Sequence, residues 1–239
     1  MARQDRNNLD IYDDVAAQWW SDDVRWVRTL RNMVPGRLRY FDKLVDWRGK
    51  AVLDLGCAGG FMAEALDDRG AHVTGIDPAK ESIAAARAHA QERAITYDVG
   101  VGEALPYSDC TFDTVVCVDV LEHVLDVDAV LKEVHRVLKP EGMFLFDTIN
   151  RNALARLAAI TLAEDILKLL PRGTHDPDKF IKPTELGSAM RAAGFRLGPL
   201  TGLGPWGINR RGDMIFGQLP LKTVIYMGSA QKCGRPSTR

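Results

Sequence analysis

The chain has no Cys-x-x-Cys pair, no internal repeat, no long uncharged apolar run and no surplus of charge of either sign. Each absence excludes something. The four cysteines, Cys57, Cys110, Cys117 and Cys233, form no motif, and two of them sit in apolar runs, which argues against a disulfide framework and for a reducing compartment. A membrane-spanning helix needs about 18 consecutive apolar residues, and none occur. The polar start, "MARQDRNNLD", lacks the apolar centre of a secretory signal, so the expected location is cytoplasmic. Thirty-one basic against 32 acidic side chains give a formal charge of -1, so no global field recruits nucleic acid, and none is expected as a partner.

What is present is 239 residues with 46% hydrophobic content, enough for one large core. Short β-rich runs fall at Ala51 to Leu55, His72 to Ile76, Ile95 to Val99, Thr114 to Val118 and Met143 to Thr148, each nearly continuously apolar, as strands buried on both faces are. Between them the pattern predicts helices over Phe61 to Asp68, Glu81 to Arg93 and Val127 to Leu138. Strand and helix alternate, which specifies an α/β fold with a parallel sheet and ligands at the carboxyl ends of its strands. We expect a single domain over 1–229, with a helical lid over about 8–45, an insertion over about 150–182 and a disordered tail over 230–239.

"AVLDLGCAGGF" places three glycines directly after the first strand, where backbone can approach a ligand and the next helix offers free N–H groups. Asp77 follows Gly56 by 21 residues, at the end of the second strand, where a carboxylate accepts from both hydroxyls of a ribose. A nicotinamide dinucleotide would want G-x-G-x-x-G, but Ala58 and Phe61 stand where the second and third glycines belong. Without a pyrophosphate to cradle, the adenosine cofactor that suits this layout is S-adenosylmethionine.

"VLDLGCAGGFMAEAL", "VTGIDPAKESIAAAR" and "FDTVVCVDVLEHV" together resemble the class I S-adenosylmethionine-dependent methyltransferases. "YDDVAAQWW", "VLEHV", "INRNALARL" and "RGTHDPDKFIKPTEL" further resemble the ubiquinone-biosynthesis O-methyltransferase (3-demethylubiquinol 3-O-methyltransferase) family, over roughly residues 10–228. The resemblance implies a Rossmann-like, seven-stranded, mostly parallel sheet with an antiparallel last strand, here "LKTVIYMG" from Leu221. It implies O-methylation of a phenolic or catechol small molecule, a polyprenylated quinone precursor above all. It carries the cofactor contacts onto Arg37 (methionine carboxylate), Gly56 with Cys57, Asp77 (ribose) with Pro78, Glu103 beside the adenine, and Val118. Two departures stand out. Ala58 replaces a glycine, tolerable if that position needs no positive φ, and Val101 replaces an aspartate for the adenine amine.

In "VDVLEHV", Asp119, Glu122 and His123 are spaced i, i+3, i+4, which on a helical turn puts them on one face. Two carboxylates and an imidazole suit magnesium, manganese or zinc, and the family resemblance implies a divalent ion on these positions, with aspartate at 119 in place of glutamate. His123 is alternatively a general base, or these are helix-opening residues with a satisfied histidine. His175 is a second candidate base, set against a loop-fixing role beside Asp176.

The segment 153–170, by the resemblance, makes peripheral contact with the inner face of a membrane. Periodicity does not establish it, because Leu154 and Leu157 share a helical sector with Glu164, Asp165 and Lys168, and a lid packed over the site fits as well. Tyr12, Trp19 and Trp26 recur every seven residues and are expected on one side of a helix, buried or closing over the ligands. Other readings are an O-methyltransferase of a secondary metabolite and a non-catalytic S-adenosylmethionine-binding protein. Oligomeric state has no sequence signal.

Overall fold

The computed structural model describes residues 7, 9–166 and 170–233. Strands β1 (Ala51–Leu55), β2 (His72–Asp77), β3 (Thr96–Val99), β4 (Phe112–Cys117) and β5 (Leu138–Ile149) run parallel in the order β3-β2-β1-β4-β5. Beyond β5 the sheet turns antiparallel through β9 (Ile225–Lys232), β7 (Thr201–Ile208) and β8 (Met214–Leu219), and the short β6 (Phe195–Leu197) also pairs with β9. The expected antiparallel last strand is therefore present, inserted between β5 and β7. It starts at Ile225 rather than Leu221 and runs through Lys232, past the boundary expected at 229; residues 234–239 of the expected tail lie outside the described residues. Among the described residues the sheet has nine strands rather than the expected seven.

The period-two rule explains why the central strands read as continuously apolar. Val52, Val116 and Leu145 enter one core with Leu38, Phe41, Met62 and Leu66, while their neighbours Leu53, Val115, Phe144 and Phe146 enter the other with Val130, Val134 and Phe195. The covering helices are α2 (Arg25–Phe41), α3 (Phe61–Asp67), α4 (Lys80–His89) and α5 (Val127–Val137). Helix α5 begins where Asp126 Oδ1 accepts from the Ala129 N–H, and it buries Val130, Leu131, Val134 and Val137 at helical spacing. Helix α4 stops at His89, four residues short of expectation.

The N-terminal aromatics do not lie on one helix. Helix α1 (Asp10–Asp14) is followed by a 3₁₀ turn over Ala16–Gln18, and a new start at Arg25 opens α2. Tyr12, Trp19 and Trp26 nevertheless converge, Tyr12 stacked on Trp19 at 6.2 Å and Trp26 edge-on to both at 5.9 and 6.0 Å. In the insertion, α6 (Ala153–Arg156) passes into a π-helical stretch, Leu157–Ile166. Among the described residues no helix is long and apolar enough to cross a membrane.

Candidate active site

A cavity of about 480 Å³ opens at the carboxyl ends of β1, β2 and β4, beside the point where strand order reverses. Arg37, Gly56, Cys57, Asp77, Pro78, Glu103, Val118, Asp119 and His123 all line it. Gly56 takes φ +78°, and a Cβ there would lie 2.1 Å from Val120 Cγ2, so the turn admits no side chain. Ala58 does adopt a positive φ, +43°, contrary to the condition set above. The cost is about 1 kcal/mol, and the turned backbone donates the Ala58 N–H to Asp77 Oδ2 at 2.9 Å. Asp77 Oδ1 accepts from the Ala79 N–H at 2.8 Å. Two backbone donors thus fix the carboxylate at the cavity wall, while burial pushes its pKa up to about 6.

Asp54 was not assigned a role from sequence. It is 1% exposed, lines the cavity, and neither of its carboxylate oxygens has a side-chain or backbone partner in normal hydrogen-bond geometry among the described residues. Burial, then the Asp77 charge, raise its pKa to about 7 against the opposing Ala63 N–H.

Arg37 sits on the buried face of α2, in series with Met33, Val34, Leu38 and Phe41. Its guanidinium is held by Asp147 Oδ2 at 2.6 Å and Asp119 Oδ2 at 2.5 Å. Desolvation alone would lower its pKa, but the two carboxylates outweigh it and keep the group charged. Asp147, a lone acid in the apolar run of β5, also escaped the sequence reading; its other oxygen accepts from the Asp119 N–H at 2.8 Å.

That pairing takes Asp119 out of the expected triad. Its backbone is left-handed, φ +54°, so the i, i+3, i+4 rule for a helical face does not hold across this turn. Among the described residues, the side chains whose ligand atoms lie within 4.8 Å of one another are Glu122, His123 and His175, all buried. His175 Nδ1 lies 2.9 Å from Oε1 of Glu164, and Glu164 also accepts from the His175 and Gly173 N–H groups, so the histidine's partner is Glu164, while the neighbouring Asp176 accepts from the Asp178 N–H and caps the next turn. Glu122 Oε2 accepts from Thr148 Oγ1 at 2.8 Å, while Oε1 has no hydrogen-bond partner among the described residues. Burial, with Asp119 and Asp147 nearby, raises Glu122 to about 8. Burial, with His175 and Lys179 nearby, lowers His123 to about 3, so its imidazole is neutral at pH 7.

The aromatic segment closes one side of the cavity. Asp13 Oδ1 caps α4 by accepting from the Glu81 and Ser82 N–H groups, Ser82 Oγ donates to the Tyr12 carbonyl, and Trp19 Nε1 donates to Ser82 Oγ at 3.0 Å. Trp19 leaves no room for a side chain at Gly59, where a Cβ would fall 2.4 Å from its ring. Of the three expected rings Trp19 is buried while Tyr12 and Trp26 are half-buried, and Tyr12 and Trp19 line the cavity.

Solved structures share this architecture. A SAM-dependent methyltransferase of Thermotoga maritima superposes with TM-score 0.65 at 20% identity, covering 93% of this chain and 98% of that one. A Pyrococcus horikoshii protein gives TM-score 0.65 at 21% identity over 94% and 100%. A family described as a methyltransferase domain matches residues 53–146. Fold and family together define an S-adenosylmethionine-dependent methyltransferase, an enzyme of the class I architecture. Sequence relatives narrow this further. The chain is 41% identical over 207 residues to the ubiquinone biosynthesis O-methyltransferase of Chromobacterium violaceum (85% of this chain, 89% of the relative) and 40% identical over 209 residues to that of Pseudomonas putida (85% and 88%). It belongs to the ubiquinone biosynthesis O-methyltransferase family.

Proposed function

We propose that the protein methylates a hydroxyl of a catechol-type quinone precursor beside Glu122, His123 and His175. The observation that carries this reading is a neutral, buried imidazole whose Nε2 has no hydrogen-bond partner among the described residues, lining the same cavity as the glycine turn and Asp77. The names of the relatives support the acceptor class. S-adenosylmethionine, when bound, supplies an electrophilic methyl group on a cationic sulfur. Asp77 would take the ribose hydroxyls, held for that purpose by the Ala58 and Ala79 N–H groups. Gly56 with Cys57 and Pro78 would meet the cofactor through backbone, and Glu103 and Val118 would border it. Arg37 was expected at the methionine carboxylate, but Asp119 and Asp147 offset its charge, so it would border the methionine end as part of an ion-pair network, and Asp54 would answer the ammonium or sulfonium.

The acceptor hydroxyl must lose its proton, since a phenol with pKa near ~10 is a poor nucleophile at neutral pH. A base held near pKa 3 abstracts such a proton feebly, so His123 serves better as a ligand than as a base. Glu122 Oε1 and His123 Nε2, without hydrogen-bond partners among the described residues, fit a divalent ion, with His175 as third donor. Two imidazoles and one carboxylate favour zinc or manganese over magnesium, which prefers oxygen. Such an ion would stabilise negative charge on the acceptor oxygen and orient it. Glu122 must ionise to ligate, so affinity for the ion rises with pH up to about 8.

The exposure of Leu154 (52%), Leu157 (47%) and Leu162 (41%) on the insertion supports peripheral contact with the inner face of a membrane by an otherwise cytoplasmic enzyme. The site reading is tested with Glu122→Gln, His123→Gln and His175→Gln. Each should keep S-adenosylmethionine affinity within about threefold while losing 10–100-fold or more in turnover. Full turnover in all three would dispose of the proposed site.

A further inference from the structure

Asn7 lies 116 residues from His123 in sequence and against it in space. Its Nδ2 donates to the His123 carbonyl oxygen at 3.1 Å, and its Oδ1 lies 2.6 Å from His123 Nδ1. These two contacts fix a proton. A carbonyl oxygen only accepts, so the amide must present its NH₂ to it; Oδ1 then faces the ring. An amide oxygen also only accepts, so the ring nitrogen opposite must carry hydrogen. With the proton on Nδ1, the lone pair lies on Nε2, the buried atom without a hydrogen-bond partner among the described residues. The other tautomer would set two lone pairs against each other at 2.6 Å and leave a buried N–H unsatisfied.

The same residue ties the two histidine-bearing segments together, because the Asn7 N–H donates to the Gly173 carbonyl at 2.9 Å, two residues before His175. Asn7 takes φ +68°, a conformation asparagine tolerates better than most residues. Glu164 holds the Nδ1 side of His175 as Asn7 holds that of His123.

We infer that Asn7 is a positioning residue that locks His123 in the Nδ1–H tautomer and aims its Nε2 lone pair at the reacting centre. Its catalytic consequence rests on the function proposed above; the tautomer does not. The test combines ¹⁵N-histidine NMR, its His123 signal assigned through His123→Gln, with steady-state methyl transfer and S-adenosylmethionine binding. Wild type should show Nδ1–H at His123. Asn7→Ala should lose that preference and 10–100-fold in kcat, with cofactor Kd within about threefold. Asn7→Asp, which keeps the acceptor oxygen, should preserve the tautomer and recover part of kcat. An Nε2–H tautomer in wild type overturns the inference, as does an Asn7→Ala variant with both tautomer and kcat unchanged. Should wild type methylate no catechol, the functional reading fails and the NMR arm alone decides the lock by the same results.

Discussion

Asp77→Asn should separate stability from function at one atom pair. Burial lifts the Asp77 carboxyl from 3.8 to about 6, which at about 1.4 kcal/mol per tenfold amounts to a penalty of roughly 3 kcal/mol for holding the charge in the folded protein. The penalty is full above pH 6, shrinks as pH falls, and is gone below the unfolded value near 3.8. Asparagine removes the charge but can accept from only one of the Ala58 and Ala79 N–H groups, which returns about 1–2 kcal/mol. The ligand-free variant should thus be more stable than wild type by about 1–2 kcal/mol at pH 8, or about 2–8 °C in melting temperature for a domain of this size. That advantage should fade between pH 6 and 4. Saturating S-adenosylmethionine reverses the order, because wild type gains about 2.7 kcal/mol at 100 times Kd and the variant gains nothing. Thermal melts with and without cofactor read both effects. A variant that melts below wild type without ligand, or that S-adenosylmethionine stabilises equally, would refute the reasoning.

Cofactor affinity should level off above about pH 8 and fall below it, as Asp54 with a pKa of about 7 and then Asp77 at about 6 take up protons; calorimetric titration between pH 5.5 and 8.5 would contradict this by showing no slope. Arg37→Met leaves Asp147 buried and Asp119 without its cation, a loss of about 3–5 kcal/mol. It should lower the melting temperature by about 10 °C, and an unchanged melt would sink the ion-pair account. Gly56→Ala drives a methyl group into Val120 at a left-handed position and should weaken S-adenosylmethionine binding at least tenfold, by about 1.4 kcal/mol or more; native affinity by the same titration would contradict the cradle.

The parallel half of the sheet was legible because strands buried on both faces leave unbroken apolar runs, and Asp77 was legible because a strand end fixes where a side chain points. The edge was not. Strand β7, "TGLGPWGI", carries three glycines and a proline that hide its alternation, and no sequence rule signals that it pairs with β9. Spacing misplaced Asp119 because the rule presumes a helical turn, while its left-handed backbone turns the side chain to Arg37. His175 drew attention to Asp176 next to it, but its partner Glu164 comes from an insertion that folds back on the loop. Asp54 and Asp147 carried a signal that went unused, a lone acid inside an apolar strand. Asn7 carried none, since a polar residue in a polar N-terminal stretch gains meaning only from a contact 116 residues away.

The most direct measurement is transfer of a labelled methyl group from S-adenosylmethionine to a short-tailed catechol quinone precursor, with chelator and with zinc, manganese or magnesium restored. The account predicts an O-methylated product and S-adenosylhomocysteine in equal amounts, lost with chelator and recovered best with zinc or manganese. Tight cofactor binding without product under any of these conditions would contradict it.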